Sequence, residues 1–169
     1  MAVLTFTDES TTTVQAERLF KSLILDAHNL IPKLLPQAIK KVELVQGNGG
    51  PGSIQEITIK LIIGCAFNVA GDNIKHLKHR IDALDKENLA YSYTVIEGDS
   101  VLEKVDSVSH EIKFEATAEG GSKTKNISKY QPKEGVDIKE EDFKADREEA
   151  STILKVVEAY LVANPEAYA

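Results

Sequence analysis

The stretch GNGGPGS, residues 47–53, places four glycines in seven residues between two alternating apolar runs. Backbone freedom of this kind serves a phosphate cradle, a tight hairpin or the closure of a ligand site. A phosphate-binding P-loop requires a lysine and a hydroxyl directly after its last glycine, on entry to a helix. Here Gly52 is followed by Ser53, Ile54 and Gln55, and the next segment has strand periodicity. A hairpin with glycines at positive φ is the expectation. His76 and His79 form an HxxH pair, but residues three apart on a strand face opposite sides and cannot close on one metal ion. Neither a metal site nor a cofactor is expected.

Other candidates lie on strand-like or helical segments. His110 falls between Val108 and Ile112 on an apolar face, where a buried ring nitrogen requires a partner. Both a satisfied core histidine and a polar contact for a ligand fit that position. Tyr91 and Tyr93 share one strand face and offer apolar area with a hydroxyl at the far end, suited to core packing and to ligand contact alike. Asp146 and Glu149 flank the apolar stripe of a helix. They read as a solvated edge or, if turned inward, as acceptors for amine or hydroxyl donors. The acidic run Glu140, Glu141 and Asp142 suits a helix N-terminus, and the basic run Lys75, His76, Lys78, His79 and Arg80 reads as a solvated strand.

The elements that must position these residues follow from periodicity. Residues 3–12 read as a strand. Ala16, Leu19, Phe20, Leu23 and Ile24 then recur at helical spacing, and Asp26 is placed to cap a second short helix that Pro36 ends. From Ala38 the period becomes two through AIKKVELV, SIQEITI, IKHLKHRI, NLAYSYTVI, VDSVSHEIKFEA and KTKNISKY. The connections are too short for crossover helices, so these strands are antiparallel. One sheet face is apolar, the other polar. Residues 139–163 lack proline and glycine, and Phe143, Ala150, Leu154, Val157 and Leu161 recur at helical spacing. The second half of that long helix is the better core anchor, and its polar first half is expected to border a space.

A chain of 169 residues with 42% apolar and 28% charged residues is expected to form one domain, residues 1–169. Its net charge of −7 has the wrong sign for neutralising phosphates, so nucleic acid is not an expected partner. No continuous apolar run approaches a membrane span and no export signal opens the chain, so a cytoplasmic protein without a membrane partner is expected. The lone Cys65 fits a reducing compartment. Without export, the Asn126-Ile127-Ser128 sequon reads as a polar strand segment.

GNGGPGS between strands, then YSYTVIEGD, EGGSKTKNISKY and the terminal KVVEAYLVANPEAYA, resemble in type and order the plant family of the major birch pollen allergen, the pathogenesis-related proteins of class ten. The resemblance spans essentially the whole chain. It implies an α+β helix-grip fold: a seven-stranded antiparallel sheet wrapped around a long C-terminal helix, with two short helices and an internal cavity. It further implies binding, storage or transport of small hydrophobic or amphipathic plant metabolites or hormones such as cytokinins, flavonoids and steroids, in defence or stress. The positions that then line the cavity are Leu23, Ile31, Ile39, Ile57, Ile59, Ile74, His76, Tyr91, Tyr93, Val95, His110, Ala145, Glu149 and Ile153, beside the glycine loop of Gly47, Gly49, Gly50 and Gly52.

Catalysis is the alternative. Relatives on this scaffold include alkaloid-type condensing enzymes that use a cavity lysine, for which Lys123 and Lys125 are the candidates. Ribonuclease activity proposed for the family draws on a lysine just after the glycine loop. Glu158 and Tyr160 match that pattern and Asp106 nearly does, but Gln55 stands where the cation belongs, and a phosphate loses its partner. No catalytic residue is assigned. KLIIGCAFNVAGDN, residues 60–73, is longer than the family's usual turn. Its apolar residues cannot all be buried in a hairpin. They are expected to support weak self-association, helped by a Cys65 bridge, or to fold as a lid.

Overall fold

The computed structural model describes residues 2–60, 74–98 and 100–169. The expectations attached to residues 60–73, a lid, an extended hairpin or a contact between copies, fall on a segment that beyond Lys60 lies outside the described residues. Seven antiparallel strands form one sheet in the order β1-β7-β6-β5-β4-β3-β2. They are β1 (Leu4–Thr12), β2 (Ile39–Gln46), β3 (Ile54–Lys60), β4 (Ile74–Asp85), β5 (Ala90–Glu97), β6 (Val105–Ala116) and β7 (Ser122–Pro132). Between β1 and β2 lie α1 (Ala16–Phe20), a π-helical turn over Lys21–Leu25, and α2 (Ala27–Leu34). The chain closes with α3 (Lys144–Ala163). The helix-grip expectation of a seven-stranded antiparallel sheet, two short helices and a long C-terminal helix is met.

Alternation sorts each strand into two faces. On β6, Val108 and Phe114 are buried while Glu111, Lys113 and Glu115 are exposed. The outer face carries charged cross-strand pairs, with Lys78 to Glu97 at 2.9 Å, Lys123 to Glu9 at 3.1 Å and Lys129 to Glu111 at 3.3 Å. Exposed pairs of this kind contribute at most about 1 kcal/mol each. Their larger effect is to keep that face in water.

Two buried clusters hold the helices. Leu19 and Phe20 from α1, Leu30 from α2, Phe114 from β6 and Val157 and Leu161 from α3 form one. Val95, Val105, Val108, Tyr130 and Phe143 belong to the other, where the Tyr130 and Phe143 rings stack at 3.9 Å. The second half of α3 is thus its core anchor, as its composition indicates.

Asp26 departs from expectation. Its side chain makes no capping bond to α2. It accepts instead from Asn29 Nδ2 at 2.8 Å and from the Tyr168 hydroxyl, so the carboxylate ties the C-terminus to the two short helices. Arg18 makes a second tie, donating to the carbonyls of Leu161, Asn164 and Ala167 at 2.9–3.0 Å.

Candidate functional site

The glycine loop is a hairpin turn fastened to its neighbour. Gly47, Gly49 and Gly52 adopt φ of 87°, 93° and 88°, a region side chains rarely enter. A Cβ on Gly47 would stand 2.4 Å from Ser53 Oγ. The loop amides are already engaged. Gly49 donates to Ser53 Oγ at 3.0 Å, Gly50 to Asn48 Oδ1 at 3.0 Å and Gly52 to the Ile81 carbonyl at 2.7 Å. Donors committed in this way do not form a phosphate cradle.

Strand pairing decides which side chains face α3. Ile57 pairs with Leu77, and Ile59 with Ile39 and Lys75. Tyr93 pairs with Ile81 and His110, Val95 with His79 and Val108. These partners therefore share the inner face. Ile39 and Val95 are buried there, at 5% exposure each, whereas Ile57, Ile59, Tyr91, Tyr93 and His110 are only half-buried. Leu23 and Ile31 are half-buried on the short helices. The sheet brings these expected site residues together.

Four expected positions fall elsewhere. Ile74 pairs with Lys60 and His76 with Thr58, which puts both on the outer face, and His76 lies 3.5 Å from Glu56 there. The parity of β4 is fixed by Leu77 and Ile81, both buried, so the inward members are Lys75, Leu77, His79 and Ile81. On α3, Ala145 and Glu149 are exposed and only Ile153 is sheltered. Arg147 leads its face of that half toward β1, pairing with Asp8 at 2.6 Å and lying 4.5 Å from the Phe6 ring.

His79 is the residue that strand reading assigned to solvent and the fold turns inward. Its ring stacks on Tyr93 with centroids 4.6 Å apart, and Tyr93 stacks on His110 at 4.9 Å. A row of three rings thus crosses β4, β5 and β6. His110 Nδ1 lies 2.9 Å from Ser128 Oγ on β7, which satisfies one nitrogen of the histidine. Neither ring nitrogen of His79 has a hydrogen-bond partner among the described residues. Burial, with the nearby His110 second, lowers its pKa to about 4. Yet the side chain retains accessible surface. Burial likewise holds the Tyr91 hydroxyl protonated, its pKa pushed up to about 12. The sequence carried only a divided signal for His79: Leu77 and Ile81 share its parity, but Ile74 has the opposite one.

Buried acceptors face the same interior from β7 and α3. Thr124 Oγ1, Asn126 Oδ1 and Glu158 Oε1 lack a hydrogen-bond partner among the described residues, and desolvation raises the Glu158 pKa. The ribonuclease constellation is not assembled. Asp106 is exposed at the start of β6, whereas Glu158 follows Val157 in the cluster at the other end of that strand. Lys123 and Lys125 both occupy the outer face of β7, opposite Thr11 and Glu9, so neither is a cavity lysine. A groove of about 880 Å³ does open outside, between β1 and the start of α3, but Arg147 bridging Asp8 and Glu140 neutralises much of it.

The model of the pathogenesis-related protein Bet v 1 family matches residues 1–164. The major allergen Pru ar 1 of Prunus armeniaca is 45% identical over 168 residues, 99% of each chain, and the major allergen Mal d 1 of Malus domestica is 44% identical over the same span. The crystal structure of Ara h 8.0201 superposes with a TM-score of 0.83 at 33% identity, covering 96% of this chain and all of that one. Norcoclaurine synthase from Thalictrum flavum, solved with dopamine and hydroxybenzaldehyde, aligns at 18% identity over 96% of this chain and 88% of its own. The TM-score is 0.69, a likeness of fold.

Proposed function

Because this chain belongs to the pathogenesis-related Bet v 1 family, we propose that it binds, stores or transports small hydrophobic plant metabolites or hormones in a cavity between the inner sheet face and α3. Cytokinins, flavonoids and steroids are the candidate classes, and the setting is a cytoplasmic defence or stress response. The carrying observation is the unsealed inner face, where Ile57, Ile59, Tyr91, Tyr93 and His110 point inward from the sheet and keep accessible surface. Aliphatic and aromatic walls with few polar groups give affinity through buried area and broad selectivity. A ligand that buries about 200 Å² of apolar surface gains on the order of 5 kcal/mol before the entropic losses of association. The buried acceptors on Thr124, Asn126 and Glu158 suit ligands that also carry hydroxyl or amine donors.

Catalysis has less support. The lysines available for a condensing mechanism on β7 face water, and fold likeness to a synthase does not carry its activity. The binding reading is tested with the neutral fluorescent probe N-phenyl-1-naphthylamine. Its emission should rise on binding the folded protein and fall as a cytokinin or flavonoid is added. A ligand-free crystal structure in which side chains fill the space over Tyr91 and Tyr93 would sink the reading. Native mass spectrometry of protein purified from its own tissue then identifies the ligand.

A further inference from the structure

Charge is distributed unevenly over the two faces of the sheet. The chain carries 27 acidic against 20 basic residues. The carboxylates of Glu9, Glu43, Glu97, Glu111 and Glu115 nevertheless stand exposed on the outer side. Among the described inward strand positions the acidic residue is Asp8, and Arg147 holds it in a bidentate pair with contacts of 2.6 and 3.0 Å. The basic strand residues turned inward are Lys75 and His79 on β4 and His110 on β6, and Gln55 on β3 pairs with His79. Beside the acceptors of Thr124, Asn126 and Glu158, the inner strand positions thus carry basic side chains and one carboxylate that is already neutralised.

His79 sharpens this. Its side chain keeps accessible surface, and with neither ring nitrogen bonded among the described residues its N–H can serve a ligand. Packing keeps the ring in place, stacked on Tyr93, which is itself stacked on His110. The row presents the imidazole edge of His79 beside the flat phenol of Tyr93. A flat ring surface flanked by an N–H donor suits a planar ring that bears an anion, because a donor to a charged acceptor forms a stronger bond than one between neutral groups.

Resting on the cavity reading above, we propose that His79 makes this a site selective for aromatic ligands bearing one anionic group. The anion, a carboxylate, sulfonate or phenolate, accepts from the His79 edge, and its ring lies along the apolar wall of Tyr91 and Val95. A neutral molecule of the same skeleton binds through the apolar wall alone. Helix α3 contributes the opposing charge: Glu158, half-buried on its second half, disfavours anions at the far end and so orients the ligand toward His79.

The test uses two probes of one skeleton. 8-Anilinonaphthalene-1-sulfonate carries a sulfonate that N-phenyl-1-naphthylamine lacks. Wild type should bind the sulfonate about tenfold more tightly, the ratio expected from one charged hydrogen bond, and each probe should displace the other. His79→Phe keeps the ring stack but removes the N–H. It should retain affinity for the neutral probe and lose most of the preference. His79→Gln, which restores a donor, should recover part of it. Equal affinities in wild type, a preference unchanged in His79→Phe, or probes that do not compete would each overturn the proposal and leave the cavity reading standing. If neither probe binds wild type, the cavity reading fails and the proposal with it.

Discussion

The two ends of the interior are built from similar side chains and are finished differently. Where α1, α2 and the second half of α3 meet β6, Leu19, Phe20, Phe114 and Leu161 are sealed, at 0–3% exposure. At the other, on β3 and β5, Ile57, Ile59 and Tyr93 face inward and stay half-buried. Three helical elements converge on the first region. Over the second, none of the α3 residues from Lys144 to Ile153 joins a buried cluster. Apolar character alone does not make a core. A second layer must also fill the space, and where it does not, the same residues become a binding surface.

Truncation should separate the two regions most strongly. Leu161→Ala empties a sealed site and is expected to destabilise by about 3 kcal/mol in urea unfolding, whereas Ile57→Ala, already in contact with accessible space, should lose about 1 kcal/mol. Equal losses would break the distinction between core and wall.

The half-buried face should also answer to pH. Folded His79 stays neutral down to about 4, while the unfolded chain takes up the proton near 6.5. The unfolded state therefore binds more protons between those values. The contribution of neutral His79 is fully present above 6.5 and is lost as pH falls toward 4. Over that window wild type should lose about 2 kcal/mol relative to His79→Phe, a discounted share of the full shift. Parallel stability curves for the two proteins would show that His79 is not desolvated.

At the sealed end, Arg18→Ala removes three bonds to the carbonyls that end α3 and its tail. A loss of about 1.5 kcal/mol is expected, together with faster proteolytic trimming of residues 164–169. Unchanged trimming would mean that the apolar contacts of Ala167 and Tyr168 hold the tail without it. Tyr168→Phe keeps those contacts and removes only the hydroxyl bond to Asp26, so thermal denaturation should register about 1 kcal/mol or less.

Much of this was legible in the chain. VDSVSHEIKFEA reads as a strand from Val105 to Ala116 and is one, because apolar and charged residues alternate without a break. The opposite orientation of His76 and His79 also follows from a period of two, although that period does not say which of them faces in. On β4 polar residues occupy both faces, so local pattern left the parity open, and reading it one residue out placed Ile74 and His76 inside. Pairing with Ile57 and Ile59 on β3 settles it.

By itself, then, the sequence determined the elements, their antiparallel arrangement, the glycine hairpin and the anchoring half of the last helix. Each of these rests on the chemistry of neighbours within a few positions along the chain. The tertiary structure decided that His79 stacks with Tyr93 and His110, that Lys123 and Lys125 face water, and that Asp26 holds Tyr168 in place of capping its own helix. Those outcomes depend on cross-strand register and on partners distant in the chain, and a shift of one residue in register turns every side chain of a strand to the other face.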